Sequence, residues 1–263
     1  MLSQAFDNYS TTYDEHFTNT PIGRLQRKRV YSYLKPLLNK RQNVLELNCG
    51  TGEDAGYISK YVQSVDATDQ SEGMIETARI KCKQPNVKFS VCSIQNIKSV
   101  VTNKSYDIIF SDFGGINCIS PSTIKKCGKD LYELSNENSS LALVIMGRKC
   151  IWEKLYFFSK RKMWKALRRL SPCGVFTYIG EEAFTTYYYS PTEVSRLLKK
   201  YFEVQYYRPV GIFIPPSYLN SFFSNKLWLL NFLNFLEKIA GRLSFLSNYA
   251  DHYLIVLKKK TEV

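Results

Sequence analysis

None of the seven cysteines lies in a C-x-x-C pair, and their number is odd. That excludes a disulfide framework and the usual zinc spacing, and it makes a reducing, cytoplasmic setting the expectation. No apolar run opens the chain; Asp7 and Asp14 lie there instead, so no secretory signal is expected. No stretch reaches the ~20 apolar residues of a membrane span. The longest uncharged stretch, 209–225, carries three prolines. Internal repeats and low-complexity linkers are missing. Histidine is scarce, with only His16 and His252, and no catalytic triad or metal-ligand cluster is visible.

What is present is size, aromatic mass and positive charge. The chain has 263 residues, 44% hydrophobic, with 19 Tyr and 16 Phe. That is enough for one large domain with its own core. The formal charge is +13 and is unevenly placed. Segment 24–41 carries seven bases and no acid; segment 148–169 carries nine bases and one acid, Glu153. Such clusters attract phosphate, nucleic acid or anionic lipid, or are simply solvated helix faces.

The pattern of elements is alternating. Helices are expected at 24–38, 53–62, 71–81 and 122–134, and strands at 43–47, 64–68, 87–92, 106–111 and 141–146. That rhythm predicts an α/β domain with a parallel sheet and helices on both faces. After Met146 the rhythm breaks. A long basic-aromatic helix is expected over 150–170, then a hairpin of 175–179 and 184–189 around Gly180. Ser190 and Pro191 start another helix. Strands are expected at 202–208 and 252–259. The resulting division is 1–40 as N-terminal lid and helix, 41–146 as core, 147–190 as insertion, and 191–263 as closing helices and strands.

The most informative stretch is Val44-Leu45-Glu46-Leu47-Asn48-Cys49-Gly50-Thr51-Gly52. A buried strand ends in a two-glycine turn and a helix begins. Glycines permit positive φ and close approach of a ligand to the backbone. The helix start offers free N–H groups. Asp69 ends the next strand, where a carboxylate can accept from both hydroxyls of a ribose. This leaves two cofactor classes. Gly50-Thr51-Gly52-Glu53-Asp54-Ala55 also fits the dinucleotide fingerprint G-x-G-x-x-A. Glu46 inside the first strand, the run Asp69-Gln70-Ser71-Glu72-Gly73-Met74 and the late strand pair favour S-adenosylmethionine.

On these residues the chain resembles the class I S-adenosylmethionine-dependent methyltransferases. Segment 44–52 is similar to their motif I, 69–74 to their motif II region, and 105–117 (SYDIIFSDFGGIN) to their fourth-strand motif. Phe6-Asp7-Asn8-Tyr9 and Tyr13-Asp14-Glu15-His16-Phe17 resemble the lid of the ubiquinone- and biotin-pathway small-molecule enzymes. The likeness covers about 1–146 and the last strands. It implies a doubly wound, mostly parallel seven-stranded sheet with a late antiparallel strand, plus a helical and hairpin insertion after the fifth strand. It implies that Glu46, Asn48, Cys49, Gly50 and Gly52 shape the methionine side of the pocket. Asp69 would hold the ribose, flanked by Gln70 and Met74. Ser93 and Ile94 fall where the family has an acid before a small or apolar residue, so a hydroxyl replaces that acid. Asp112, Phe113 and Asn117 would lie near the sulfonium, and Arg27 would face the methionine carboxylate.

Methyl transfer from a sulfonium asks for alignment and at times a base. His16 is the candidate base, with Tyr13 as its catalytic neighbour in the lid. Tyr156, Trp164, Tyr187 and Tyr188 of the insertion are the candidates for acceptor contacts. The expected activity is methyl transfer to a small hydrophobic or aromatic acceptor, oxygen favoured and an anionic acceptor suited to the charge. The expected form is a monomer or homodimer, with no nucleic-acid partner favoured. Alternatives are an RNA methyltransferase using 24–41 and 148–169, a non-catalytic methyltransferase-like subunit, and a nucleotide-dependent oxidoreductase. Segment 222–246 has an apolar arc wider than one helix needs. Its narrow polar strip, Asn231, Asn234, Lys238 and Arg242, holds few cations, which favours pocket lining or protein packing over a membrane contact.

Overall fold

A computed structural model describes residues 2–101 and 105–261. Five strands open the sheet: β1 (Asn43–Leu47), β2 (Ser64–Asp69), β3 (Val87–Val91), β4 (Tyr106–Ser111) and β5 (Ser135–Met146). Between and before them lie α1 (Leu2–Tyr9), α2 (Pro21–Leu34), α3 (Glu53–Ile58), α4 (Glu72–Lys81), α5 (Ile97–Val100) and α6 (Pro121–Glu133). Then follow α7 (Ile151–Ser159), α8 (Met163–Leu167), the hairpin β6 (Val175–Ile179) and β7 (Glu182–Thr186), and α9 (Pro191–Leu198). The chain closes with β8 (Phe202–Val210), α10 (Asn220–Phe223), α11 (Leu227–Ala240) and β9 (His252–Lys259).

The seven-stranded sheet has the order β3-β2-β1-β4-β5-β9-β8. Its strands run parallel except β9, which is antiparallel to both β5 and β8. Alternation along the strands divides the core. Leu45, Leu47, Ile109, Leu143 and Ile255 face α6 and α9. Val44, Val65, Ile108, Phe110 and Val256 face α2, α3 and α4. Burial on both faces explains why these strands read as continuous apolar runs. The order reverses at β1, whose neighbours are β2 and β4, so the carboxyl ends of β1 and β4 form the switch point where α/β sheets bind ligands.

Ser71 caps α4 and Ser190 caps α9, the latter in a reciprocal box with Glu193. Three expectations need correction. The helix expected over 150–170 is broken into α7 and α8, with Arg161 at a left-handed φ of 56° between them. The reason lies in Glu153, which reaches both Arg168 and Arg169. Fifteen residues along a straight helix would separate that pair by about 22 Å. The helix after the glycine turn ends at Ile58 rather than Val62, because the chain must turn back into β2. Strand β7 ends at Thr186, since Tyr187 and Tyr189 leave the hairpin to bond Asn117 O (2.7 Å) and Met146 O (3.3 Å).

Candidate functional site

The loop after β1 holds its shape for reasons that differ residue by residue. Asn48, Gly50 and Gly52 all adopt positive φ. A Cβ on Gly52 would meet Ala78 Cβ at 2.9 Å and the Phe89 ring at 3.0 Å, so this glycine is demanded by packing. A Cβ on Gly50 would meet nothing within 4 Å, so that glycine opens onto free space. Asp69 ties the loop to β2. One carboxylate oxygen accepts from Gly50 N and the other from Ser71 N, each at 2.9 Å. Burial raises its pKa, against the N–H groups of Ser71 and Gly50 that favour the charged form.

An N-terminal cover closes over this loop. Asp7 accepts from Ser71 Oγ (2.6 Å) and Gly73 N (3.0 Å). Asp14 accepts from Thr51 Oγ1 (2.7 Å) and pairs with Lys81 (2.6 Å). The two acids of the cover thus dock it on the starts of α3 and α4.

Three adjoining cavities lie beneath and beside the cover. The first, about 240 Å³, is bounded by Phe6, Gly50, Asp69, Gln70 and Met74, with Phe184 and Tyr188 of the insertion opposite. The second is small, about 30 Å³, and lies among Arg27, Cys49, Thr51, Asp54 and Asp112. The third, about 340 Å³, is walled by Tyr9, His16, Arg168, Tyr188, Tyr218 and His252. Tyr13 and Phe113 border all three. Phe113 is held at a φ of 32°, unusual for a phenylalanine. Its ring meets Phe17 at 5.0 Å and His252 at 5.3 Å.

The small cavity is electrostatically incomplete. Glu46, Asp54 and Asp112 are buried around one cation, Arg27, which pairs with Asp54. Buried atoms without a partner surround it: Glu46 Oε2, Asn48 Oδ1, Asp54 Oδ1, Asp112 Oδ2 and Arg27 Nε. Burial, then the neighbouring Asp54, pushes the carboxyls of both Glu46 and Asp112 well above the usual range. Surplus acceptors suit an ammonium, and the arginine suits a carboxylate. The head of an amino acid satisfies both demands. A ribose fits the free lone pairs of Asp69 in the adjoining cavity. The residues present therefore match the S-adenosylmethionine that the sequence implies.

The expected site residues divide as follows. Asn48, Gly50, Asp69, Gln70, Met74, Phe113 and Tyr13 border the first cavity. Arg27, Cys49 and Asp112 border the small one, with Glu46 buried near Asp112. Gly52 shapes the loop from behind. Ser93 and Ile94 border none of these cavities; Ile94 packs in the core. Asn117 is a bracket rather than a lining residue. Its amide accepts from Met146 N (2.9 Å) and donates to Tyr187 O (2.5 Å), joining β5 to the hairpin exit.

His16 is exposed on the third cavity. Its Nδ1 lies 2.8 Å from Thr12 O. A carbonyl only accepts, so Nδ1 carries a proton and the neutral ring keeps Nε2 as its acceptor. Burial raises the Tyr13 phenol, which suits it to hold its proton. Of the four insertion aromatics, Tyr188 lines two cavities. Tyr187 stacks with Tyr189 on the core, and Tyr156 packs against Phe157 and Tyr218. Trp164 is 75% exposed and away from all three cavities.

Arg168, Tyr218, Met146 and Phe6 were not among the expected contacts. Arg168 was visible within the basic segment; Tyr218 and Phe6 arrive from distant parts of the chain. Several bases of the two charged segments are already engaged. Arg27 pairs with Asp54, Arg148 with Glu193, and Arg168 and Arg169 with Glu153. The sequence charge therefore overstates the free positive surface. Among the described residues, no group of three His, Cys, Asp or Glu is placed to hold a metal ion, and no helix is long and apolar enough to cross a membrane.

The profile of a family described as a methyltransferase domain matches residues 44–138. A malonyl-[acyl-carrier protein] O-methyltransferase of Ilyobacter polytropus is 38% identical over 76 residues, 28% of this chain and 27% of that protein. The corresponding enzyme of Anoxybacillus flavithermus is 27% identical over 118 residues, 43% of this chain and 40% of its own. The matched segments thus span well under half of these relatives. Among solved structures, a DhpI–SAH complex aligns with a TM-score of 0.64 at 13% identity, covering 99% of this chain and 96% of that one. The CcbJ methyltransferase of Streptomyces caelestis aligns at 0.61 and 13% identity, covering 98% of each. These two share the fold.

Proposed function

We propose that this chain, which carries a methyltransferase-domain match over residues 44–138, moves a methyl group from S-adenosylmethionine to an oxygen of a small, hydrophobic, anionic acceptor. The observation that carries the reading is the meeting of three cavities at Tyr13 and Phe113. One cavity has the acid surplus and arginine of an amino-acid head site, one has the ribose carboxylate, and one has aromatic walls.

S-adenosylmethionine supplies an activated methyl on a sulfonium, and the protein supplies alignment and exclusion of water. Glu46, Asp54 and Asp112 would hold its ammonium, and Arg27 its carboxylate. Asp69 would accept from the ribose. Tyr13 and Phe113 form the partition across which acceptor and donor meet, and the phenol of Tyr13 can donate to the acceptor. Tyr9, Tyr188 and Tyr218 supply apolar walls, and Arg168 supplies the nearby cation. A carboxylic acid or phenol enters already ionised, or loses its proton to His16 Nε2 at the mouth. Oxygen as the acceptor atom is supported by both relatives, which are named as O-methyltransferases.

Calorimetric titration with S-adenosylhomocysteine tests the cofactor. Binding is expected, with Asp69→Ala weakening it by about 100-fold or more, since a buried carboxylate hydrogen-bonded to the ligand is removed. Unchanged affinity in that variant refutes the ribose role. Transfer of labelled methyl to a panel of aromatic acids, phenols and amines tests the acceptor. Label released as methanol by mild base marks a methyl ester. Products stable to base on amines alone would overturn the oxygen assignment.

A further inference from the structure

We propose that the face built by α11, α10 and the α7–α8 segment docks on an anionic lipid bilayer. Its apolar content is turned outward. Trp228 is 73% exposed and Phe235 58%; Phe232 and Ile239 join them along α11, and Leu243 lies just beyond its end. On α7, Leu155 is 63% exposed. The two parts adjoin through a shared cluster in which Trp152 of α7 packs with Phe223 and Leu230. The α11 residues line none of the three cavities. The pocket-lining expectation for this segment is thereby corrected: its buried side meets α2 and the 211–214 loop, and its remaining apolar side meets solvent. Exposed apolar area of this extent marks an interaction surface.

Charge selects the partner. Segments 148–170 and 217–249 contain two acids, Glu153 and Glu237, and both are buried. Glu153 is held by Arg168 and Arg169. Glu237 accepts from the backbone N–H groups of Gly211, Ile212, Phe213 and Ile214 at 2.7–3.3 Å. The outward side therefore has no carboxylate, while Lys160, Arg161, Lys162, Lys165, Lys238 and Arg242 are all exposed. A second copy of the same face would bring these cations against cations. A negatively charged bilayer satisfies them and accepts the aromatic side chains at its interface. No described helix spans a membrane, so the contact lies in the surface plane. Two residues that wall the third cavity, Arg168 and Tyr218, lie next to this face in the chain, just after α8 and just before α10.

Vesicle co-sedimentation of the full chain tests the docking and does not depend on catalysis. Vesicles of equal parts phosphatidylcholine and phosphatidylglycerol should carry the protein down, and raised salt should release it. Phosphatidylcholine alone should bind roughly tenfold more weakly or less, given several cations at the surface. The double variant Trp228→Ser, Phe235→Ser should lose roughly tenfold or more in partitioning, while its S-adenosylhomocysteine affinity stays unchanged and reports an intact fold. Lys160→Glu, Lys162→Glu should lose binding to the anionic vesicles specifically. Equal binding to both vesicle types, or an unaltered double variant, overturns the proposal. So does a dimer, seen by sedimentation equilibrium, that the double variant dissociates.

Discussion

Two buried charge clusters in this molecule look alike in composition and differ in balance. In the small cavity, Glu46, Asp54 and Asp112 surround Arg27 alone, and five polar atoms around it lack partners. In the wall of the third cavity, Arg168, Arg169 and His252 meet Asp251 and, behind it, Glu153. Arg169 there donates to Glu153, Asp251 and two backbone carbonyls. The pKa directions follow the balance. Burial alone would raise Asp251, but His252 and Arg169 reverse it and hold the carboxyl far below the usual range. In the cavity, burial and the neighbouring Asp54 prevail, and Glu46 and Asp112 rise. A saturated cluster is a lock between segments. An unsaturated one is a site waiting for the missing charge.

The lock should break most expensively. Glu153→Ala leaves Arg169 buried with half its charge partners gone and frees Arg168. A loss of about 3–5 kcal/mol is expected, as for other buried pairs broken on one side. Chemical denaturation measures it. S-adenosylhomocysteine affinity, taken well below the transition, should change little, because Glu153 borders none of the three cavities. A destabilisation under 1 kcal/mol would make the two clusters equivalent and the distinction void.

Glu46→Gln should do the reverse. It removes an acid whose ionisation burial and Asp54 oppose, so the unliganded protein should hold or gain stability. Cofactor affinity should fall about tenfold or more, as a charged hydrogen-bond partner is lost. The pH dependence has a definite sign. A carboxyl raised in the fold contributes stability below its ordinary pKa and loses it as pH rises through the folded value. A bound ammonium compensates that loss. The thermal stabilisation by S-adenosylhomocysteine should therefore grow as pH rises from the acid range toward neutrality, and grow less in Glu46→Gln. Thermal melts with and without ligand across that range decide it. At Asp251 the sign is opposite: its contribution is present above the ordinary Asp range and fades as pH falls through the lowered value.

The same contrast explains what the sequence disclosed. The parallel core was legible because its signals are local: apolar strands, a glycine turn, Asp69 at the next strand end, and serine caps. The roles of Gly50 and Asp69 rest on neighbours within about twenty residues. The lock was not legible, since Arg169 and Asp251 lie 82 residues apart. The break between α7 and α8 follows from that lock and was missed with it. Asn117 was placed by its strand end, yet its partners Met146 and Tyr187 lie 29 and 70 residues away. Segment 222–246, read as one helix alone, gave a pocket-lining expectation that the cavities do not bear out, while its packing against the protein is seen in Leu230. Most of the cations beside its apolar face belong to α7–α8 and the turn between them, and its own acid, Glu237, turns inward.

The smallest effect should come from the cover, where charge balance is met at a half-exposed position. Asp14 joins Thr51 of the glycine turn to Lys81 at the end of α4. Burial raises its carboxyl, and the hydrogen bonds from Lys81 and Thr51 outweigh that and lower it. Asp14→Asn keeps the size and loses the charge. Because the pair is partly solvated, about 1 kcal/mol or less is at stake, a fold-change of about five or less in cofactor affinity. Global stability should barely move, since the cover adds little to either core cluster. Faster dissociation of S-adenosylhomocysteine in stopped flow is the expected readout, as the cover opens more often. The wild-type chain should approach the variant as pH falls through the lowered Asp14 value, where the carboxylate takes up its proton. If the variant instead lost stability as Glu153→Ala does, the cover would be part of the core rather than a gate upon it.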